Sequence, residues 1–540
     1  MIDSPAPPSS TWWDTAVIYE VYPRSFADSN GDGIGDLVGL RERLPYIASL
    51  GVQGIWLTPF QTSPQVDQGY DISDYCDVDP LFGTLDDFDV LLADAHARGI
   101  RVLVDIVPNH TSTEHVLFQE ALTSAPGSAA RALFHFADGP DATGRVAPNN
   151  WISVFGGSAW DRANSLSETD RQWYLHLFSS GQPDWNWDNP AVADYFDDVL
   201  RFWFDRGVDG IRVDVAHGLF KAPGLPDSLV VPAVIDGLRS NPLAMDQEPV
   251  HEVYRRWRRI ARSYDQERLL VGEVNLEPHR AGRYTRPDEL HQTFAFAFAR
   301  LGWEPSAWVE VGNQLEQVRR ESGADPSWAL ENHDLVRTVT RFGGGEAGAA
   351  RAIAALVALL GLPGSAYVYQ GQELGLPDVE VPLSARADPM WTRGGVSRDG
   401  ARIPLPWDPS PEGAHGFSPA DAAAPWLPVP PGWGAWAVSE QVGNEASAHR
   451  IFTDAMRVRS ELVASGEFRA GDAARWSGTA DGRVLCERES GVTIVVAMAD
   501  AAVPLPPGRV LFSSAPLVGS LLPSNAAAWV RRSGGVADRH

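Results

Sequence analysis

The sequence is poor in cysteine: Cys76 and Cys486 are the only two in 540 residues, more than four hundred positions apart. A fold stapled by several disulfides is excluded, and two structural thiols in a reducing compartment are expected. Long apolar runs are missing too. No window approaches the eighteen uninterrupted apolar residues of a membrane span, so no membrane partner is expected. The first ten residues, MIDSPAPPSS, have neither a basic stretch nor an apolar one; no secretory signal is expected, and the cytoplasm is the expected location. Positive charge is in deficit: 44 Lys and Arg stand against 70 Asp and Glu, a formal net charge of −26. Such a chain repels phosphate backbones, which excludes nucleic acid as a partner; the charge serves solubility. No internal repeat or low-complexity tract is present.

What is present is a globular enzyme's composition, 44% hydrophobic and 21% charged, over a length that suits two or three domains. Twenty tryptophans suit a large core, and equally the C–H faces of sugar rings. Apolar runs of strand length recur at Val17 to Tyr22, Gly54 to Thr58, Arg101 to Val107, Gly210 to Val213, Leu269 to Gly272, Thr293 to Phe298, Trp328 to Leu330 and Ser365 to Tyr369. Continuous runs of this kind belong to parallel strands buried on both faces. Helical periodicity lies between them. In Leu85 to Arg98, for example, Phe88, Leu91, Leu92 and Ala95 form one face, Asp86 and Asp87 favour the start, and Gly99 ends it. Eight strand–helix units predict an α/β fold, a TIM (β/α)₈ barrel.

Two stretches break the alternation. His110 to about Gln182 is far too long for a loop and reads as a subdomain inserted after the third strand. Leu374 to Trp436, after the eighth, is irregular and dense in Pro, Gly and Trp. From about Gly466 short β-type runs such as Val492 to Met498 predict a C-terminal antiparallel β-domain. The expected division is a barrel over 1–109 and 183–465, an insert over 110–182 and a β-domain over 466–540.

Barrel chemistry sits where strands end. Asp105, Asp214, Glu273 and Asp334 each follow an apolar run, where a charge is costly unless partners or chemistry compensate. Any one of them alone is as well explained as a helix cap. Their convergence with His110, His333 and Arg212 on one barrel mouth is not.

Four segments carry a specific resemblance: DIVPNH at 105–110, GIRVDVAH at 210–217, GEVN at 272–275 and ENHD at 331–334. Their order and spacing resemble the signature regions of the α-amylase superfamily, glycoside hydrolase family 13. YEVYPRSF at 19–26, GYDISDY at 69–75 and QPDWN at 182–186 narrow the likeness to its α-glucosidase and oligo-1,6-glucosidase branch, with Trp185 a departure from the usual leucine. The overall pattern is nearest to actinobacterial α-glucosidases. The resemblance implies Asp214 as nucleophile, Glu273 as general acid/base and Asp334 as transition-state stabiliser in a retaining reaction. Arg212, two residues before Asp214 and on the same face, can hold that nucleophile ionised.

His110, His333 and Phe155 are implied as contacts to the substrate. Asp67 and Tyr70 match the family's Asp-x-x-Tyr at the pocket for a nonreducing end, with Tyr70 under the sugar and Asp67 paired with Arg402 of ARIPLPW, resembling the branch's ARTPMQW. Such a pair closes the pocket beyond one glucose. Val215 leans towards α-1,6 linkages in this branch, whereas Ala216-His217 resembles enzymes that accept maltose, so the balance leans weakly to α-1,4. Asp28, Asn30, Asp32, the Ile34 carbonyl and Asp36 alternate around glycines as in a hard-cation loop. The resemblance implies structural Ca²⁺, with Mg²⁺ as the alternative and no organic cofactor. Expected partners are small α-glucosides, and the chain itself is expected as a monomer or homodimer. The rivals are an α-glucosyl transferase or a sucrose or trehalose isomerase on the same scaffold. A non-catalytic, transporter-associated homologue fits less well, because the acids are intact.

Overall fold

The computed structural model describes residues 11–141, 144–163, 170–230, 233–235 and 238–533; the sequence reading of the first ten residues falls outside them. Eight parallel strands form the centre: β1 (Val17–Val21), β2 (Gly54–Leu57), β3 (Arg101–Ile106), β4 (Gly210–Val213), β5 (Leu269–Gly272), β6 (Gln292–Thr293), β7 (Ser327–Ala329) and β8 (Ser365–Tyr369). Their spatial order is β6-β5-β4-β3-β2-β1-β8-β7, and a bridge between Phe294 and Ser327 closes the ring. Every residue of β1, β2, β4, β5 and β8 is buried, because helices cover the outside and side chains fill the inside.

The helices follow from local chemistry. Leu85–Ala97 starts at a capping box in which Thr84 and Asp87 satisfy each other's backbone N–H, and it buries Phe88, Leu91, Leu92 and Ala95. Pro190–Asp205 begins with proline in its first turn behind Asn189, whose side chain accepts from the Ala191 N–H. The strand expected over Thr293 to Phe298 is not formed. The ladder with β5 stops at Thr293, the single bridge at Phe294 follows, and Phe296–Ala299 is a helical turn. Phe294, Phe296 and Phe298 are all buried, so the run was apolar on every side and its periodicity could not separate strand from helix.

Between β3 and the next barrel helix, the insert folds as a helix, Val116–Thr123, and a three-stranded antiparallel sheet of Phe136–Asp138, Gln172–Leu175 and Trp160–Arg162. The barrel's last helix, Ala448–Ala464, leads to a five-stranded antiparallel sheet. This sheet packs on the helix Gly345–Gly361. A Cβ at Gly361 would lie 2.6 Å from Trp529 Nε1, which donates to the Val357 carbonyl at 3.0 Å. Glycine is required there by close approach. Both cysteines are free, and no helix among the described residues is long and apolar enough to cross a membrane.

Candidate active site

One cation organises the mouth of the barrel. Arg212 and Asp214 are two residues apart near the end of β4, so their side chains leave the same face. Arg212 Nη1 donates to Asp214 Oδ1 at 2.5 Å and to both oxygens of Asp105 at 3.1 and 3.0 Å, while its Nη2 donates to Glu273 Oε2 at 2.9 Å. Its plane lies over Trp56, 4.9 Å from the ring centre, which fixes the fork. Val215 has φ of +42°, a strained setting for a β-branched residue, and there its N–H donates to Glu273 Oε2 at 3.1 Å. The residue after Asp214 thus holds the second acid in place.

Three carboxyls sharing one guanidinium changes the expected electrostatics. Burial pushes Asp214 well above the usual carboxylate range, reinforced by Glu273 and Asp105 and opposed by Arg212. Arg212 therefore does not simply hold Asp214 ionised, as the sequence implied; its charge is divided. Asp105, fully buried, is pushed up to about 7 despite Arg212. In the unfolded chain this carboxyl titrates near 3.8, so between that value and about 7 the folded state binds the extra proton. The contribution to stability is complete below the unfolded value and is lost as pH rises through the folded one. The unfolding free energy of the wild type relative to Asp105→Asn should accordingly fall from pH 4 to 7, by up to about 1.4 kcal/mol per pH unit. Parallel stability curves from denaturant melts would reject the assignment.

A second cluster faces the first. Asp334 Oδ1 accepts from Arg402 Nη2 at 2.7 Å and Arg398 Nη1 at 3.0 Å, with His333 Nε2 at 3.5 Å. Burial works against this charge, yet His333, Arg398 and Arg402 together hold Asp334 far below the usual range. His333 stacks on Tyr70 and has a carboxyl neighbour at each ring nitrogen, Glu20 at 2.6 Å from Nδ1 and Asp334 at 3.5 Å from Nε2; burial keeps its pKa down near 3. Tyr70 donates to Asp105 Oδ2 at 3.2 Å, and only its face away from His333 is left for a sugar. His110 lies beside Phe178 and, through burial, is held down to about 4, so both histidines are neutral at working pH.

The expected pairing of Asp67 with Arg402 is replaced. Asp67 Oδ1 accepts from Arg398 Nη2 at 3.0 Å, while Arg402 turns to Asp334 and to Gln68 Oε1 at 3.0 Å. Four residues, one helical turn, separate the two arginines, and only the second sits in the matched ARIPLPW segment. Arg398 also grips Asp388 at 2.8 Å and lies over the Phe155 ring at 5.2 Å, so the sequence reading missed the more connected of the pair. Gln182, Gln68, Glu20 and Asp388 were likewise not singled out; the first three had a signal in their places within QPDWN, the Asp67–Tyr70 match and YEVYPRSF, and Asp388 had none. One cavity is lined by Asp67, Tyr70, His110, Phe155, Asp214, Glu273, Asp334 and Arg398. The same cavity is also walled by Val154, Val215, Leu238 and Met245, with Arg239, His217 and Asn275 among them. Leu238 and Arg239 come from a short hairpin after β4, Ala233–Ile235 with Leu238–Ser240, which strand patterning did not reveal.

The Asp28 loop is built of nested turns. Asp28 accepts from the N–H groups of Asn30, Gly31 and Gly33, Asn30 from that of Asp32, and Asp32 from that of Ile34. Asp36 instead caps the helix Leu37–Ser49 through Gly39 N–H at 2.7 Å and accepts from Ser29. Among the described residues no group of three or more His, Cys, Asp or Glu side chains converges as a metal centre. The remaining set, two carboxylates, an amide oxygen and a carbonyl, is all oxygen and fits a hard cation only.

A closed parallel barrel with acids gathered at its strand ends defines a glycoside hydrolase scaffold. The chain belongs to the alpha-amylase family: the model of the alpha amylase catalytic domain matches residues 20–466. The probable alpha-glucosidase of Rhizobium meliloti (strain 1021) is 39% identical over 488 residues, 85% of each chain. The oligo-1,6-glucosidase of Heyndrickxia coagulans is 36% identical over 459 residues, 77% of this chain and 80% of that one. Among solved structures, an alpha-glucosyl transfer enzyme matches with a TM-score of 0.84 at 34% identity, over 97% of this chain and all of the other.

Proposed function

We propose that the protein is a retaining α-glucosidase that removes single glucose units from the nonreducing ends of short α-glucosides, with Asp214 as nucleophile, Glu273 as general acid/base and Asp334 as stabiliser. The observation that carries this reading is the seating of Asp214 and Glu273 on neighbouring nitrogens of Arg212. Carboxyls drawn to neighbouring nitrogens of one guanidinium favour the roughly 5–5.5 Å of a retaining pair over the roughly 6.5–9.5 Å that admits a water in inverting enzymes. Asp214 would attack the anomeric carbon while Glu273 protonates the departing oxygen; Glu273 would then activate the water that releases glucose. Asp334, kept ionised by Arg398 and Arg402, would favour the oxocarbenium-like sugar. The Asp67–Arg398 and Asp334–Arg402 pairs lie at the cavity, where they would close it beyond one glucose, which supports action on terminal residues.

Likeness to an alpha-glucosyl transfer enzyme and the apolar wall of the cavity favour a second outcome, transfer of glucose to an alcohol at high substrate. Chromatography of products from maltose, isomaltose, sucrose, trehalose and panose tests the reading. Glucose with retained α-configuration and a preference for maltose are expected; lasting oligosaccharide or an isomerised disaccharide at low substrate would replace hydrolase by transferase or isomerase. Two free thiols support a reducing, cytoplasmic setting.

For the Asp28 loop we propose Ca²⁺, held by Asp28, Asn30, Asp32 and the Ile34 carbonyl, with Asp36 left to its helix. Flexible oxygen loops suit Ca²⁺ better than the strict octahedron of Mg²⁺. A hundredfold excess over its dissociation constant should stabilise the fold by about 2.7 kcal/mol. Thermal melts with Ca²⁺ and with EDTA should therefore differ by several degrees in wild type and coincide in Asp28→Ala. Coincident melts in wild type would refute the site.

A further inference from the structure

Lys221 is the only lysine in the sequence, and it is buried seven residues beyond Asp214, after a turn. Its Nζ is 2.9 Å from Asp184 Oδ2, 2.9 Å from Asn109 Oδ1 and 2.5 Å from the Gly218 carbonyl. None of these groups reaches the sugar site, but Asn109 Nδ2 is 3.0 Å from His110 Nδ1, and His110 lines the cavity. We propose that Lys221 is a positioning residue which, by fixing the orientation of the Asn109 amide, places the ring proton of His110 on Nε2.

The logic is one of donors and acceptors. An ammonium can only donate, so the Asn109 atom that faces it must be the carbonyl oxygen. The amide nitrogen is then forced to the other side, where Asp184 Oδ2 at 3.3 Å takes one hydrogen and His110 Nδ1 the other. A ring nitrogen met by an N–H must present its lone pair, which leaves the proton on Nε2. Burial keeps the ring neutral, so it has one proton to place. Nε2 lies 3.2 Å from the Tyr70 carbonyl, at the wall of the cavity. The neighbouring Gln182 nitrogen, 3.1 Å away, is a donor because its amide oxygen is occupied by the Ser179 N–H at 2.9 Å, but its two hydrogens have acceptors of their own in Asp67 Oδ2 at 3.2 Å and the Tyr70 carbonyl at 3.4 Å, so it makes no claim on a lone pair of Nε2. The Nε2–H of His110 thus sits at one edge of the cavity against the Tyr70 carbonyl, where a sugar hydroxyl oxygen would compete for it. Were Nδ1 to carry the proton, Nε2 would offer a lone pair and that edge would lose a donor. Lys221 is suited to the task because Asp184, buried on its other side, balances its charge.

The role of this edge in binding glucose rests on the α-glucosidase reading, but the tautomer does not. Nitrogen chemical shifts of ¹⁵N-histidine-labelled enzyme without substrate, with His110 assigned by its loss in His110→Gln, should show Nε2 protonated and Nδ1 bare. A proton on Nδ1 would overturn the proposal, and the tautomer itself is read in the wild-type protein. Asn109→Asp keeps the size and the contact to Lys221 but turns an acceptor towards Nδ1, so the tautomer should reverse and kcat/KM for maltose should fall about 10–100-fold, the range for a group that orients a functional ligand. An unchanged tautomer in folded Asn109→Asp also overturns the relay. Reversal with unchanged kcat/KM upholds the relay and removes His110 from the proposed binding set.

Discussion

Asp214→Ala should lower kcat/KM by at least about 10⁵-fold, the loss of roughly 7 kcal/mol of barrier reduction, on maltose and on p-nitrophenyl α-glucoside alike. Without a nucleophile no glycosyl-enzyme forms, whatever the leaving group. Glu273→Gln should behave differently. Its amide oxygen can still accept from Arg212 Nη2 and Val215 N–H, the two partners seen for Glu273 Oε2, so geometry is kept and only the transferable proton is gone. Maltose, whose departing oxygen is a poor leaving group, should lose about 10³-fold or more, within the range of general acid catalysis. The p-nitrophenyl substrate, which departs as a stable anion, should lose far less in the step that cleaves the glycoside. Steady-state kinetics on the two substrates decide the roles; equal losses from Glu273→Gln, or more than one per cent of activity in Asp214→Ala, would reverse or remove them. Stability should move the other way. Asp105, Asp214 and Glu273 crowd one guanidinium, so removing one carboxyl relieves repulsion, and the melting temperature of Asp214→Ala should equal or exceed that of wild type.

Most of the barrel was legible because its strands are buried on both faces and therefore uniformly apolar: β4, β5 and β8 fall where the runs at Gly210, Leu269 and Ser365 put them. The same property hid β6, since a run with no polar side has no period to read. Site residues attached to strand ends were readable for a related reason. A charged residue straight after Gly-Ile-Arg-Val can by itself be a helix cap, but several acids after successive strands, with Arg212 and two histidines, made Asp214 and Glu273 stand out together. Residues that act from long loops did not stand out. Arg398, Asp388 and the Leu238–Ser240 hairpin lie in segments with no periodicity, where an arginine looks like any surface charge until folding buries it. Pairing was the least readable quantity of all. Asp67 chooses between two arginines four positions apart, and that choice depends on side-chain directions that spacing does not encode.

Arg398→Met is the test of that choice, and a large effect is expected from it. The guanidinium donates to Asp67, Asp334 and Asp388 at once, at 3.0, 3.0 and 2.8 Å, so its loss strands three carboxylates around an apolar chain. Asp388 retains the Met390 N–H, and Asp334 retains Arg402; Asp67 keeps only Gln182 and the outlying charge of Arg402. Removing one partner of a buried, hydrogen-bonded charge costs about 2–5 kcal/mol. Applied to transition-state binding this is a fall in kcat/KM of roughly 30- to 5,000-fold, expressed in kcat as well as KM because Asp334 belongs to the step at the anomeric carbon. Asp388, held down to about 2 by Arg398 against the pull of burial, should rise, and Asp334 with it. Both are acids whose folded pKa is depressed, so the stability they contribute above the unfolded value is lost as pH falls. The variant lacks much of that contribution. The gap in unfolding free energy between wild type and Arg398→Met should therefore be widest near neutrality and should narrow below about pH 4, where both chains are protonated at these sites. Arg402→Met, by contrast, leaves the Asp67–Arg398 pair intact and should cost less in KM. If Arg402→Met proves the more damaging of the two in KM, the pairing at the cavity is the one the sequence motif implied, and Asp67 answers to Arg402 after all.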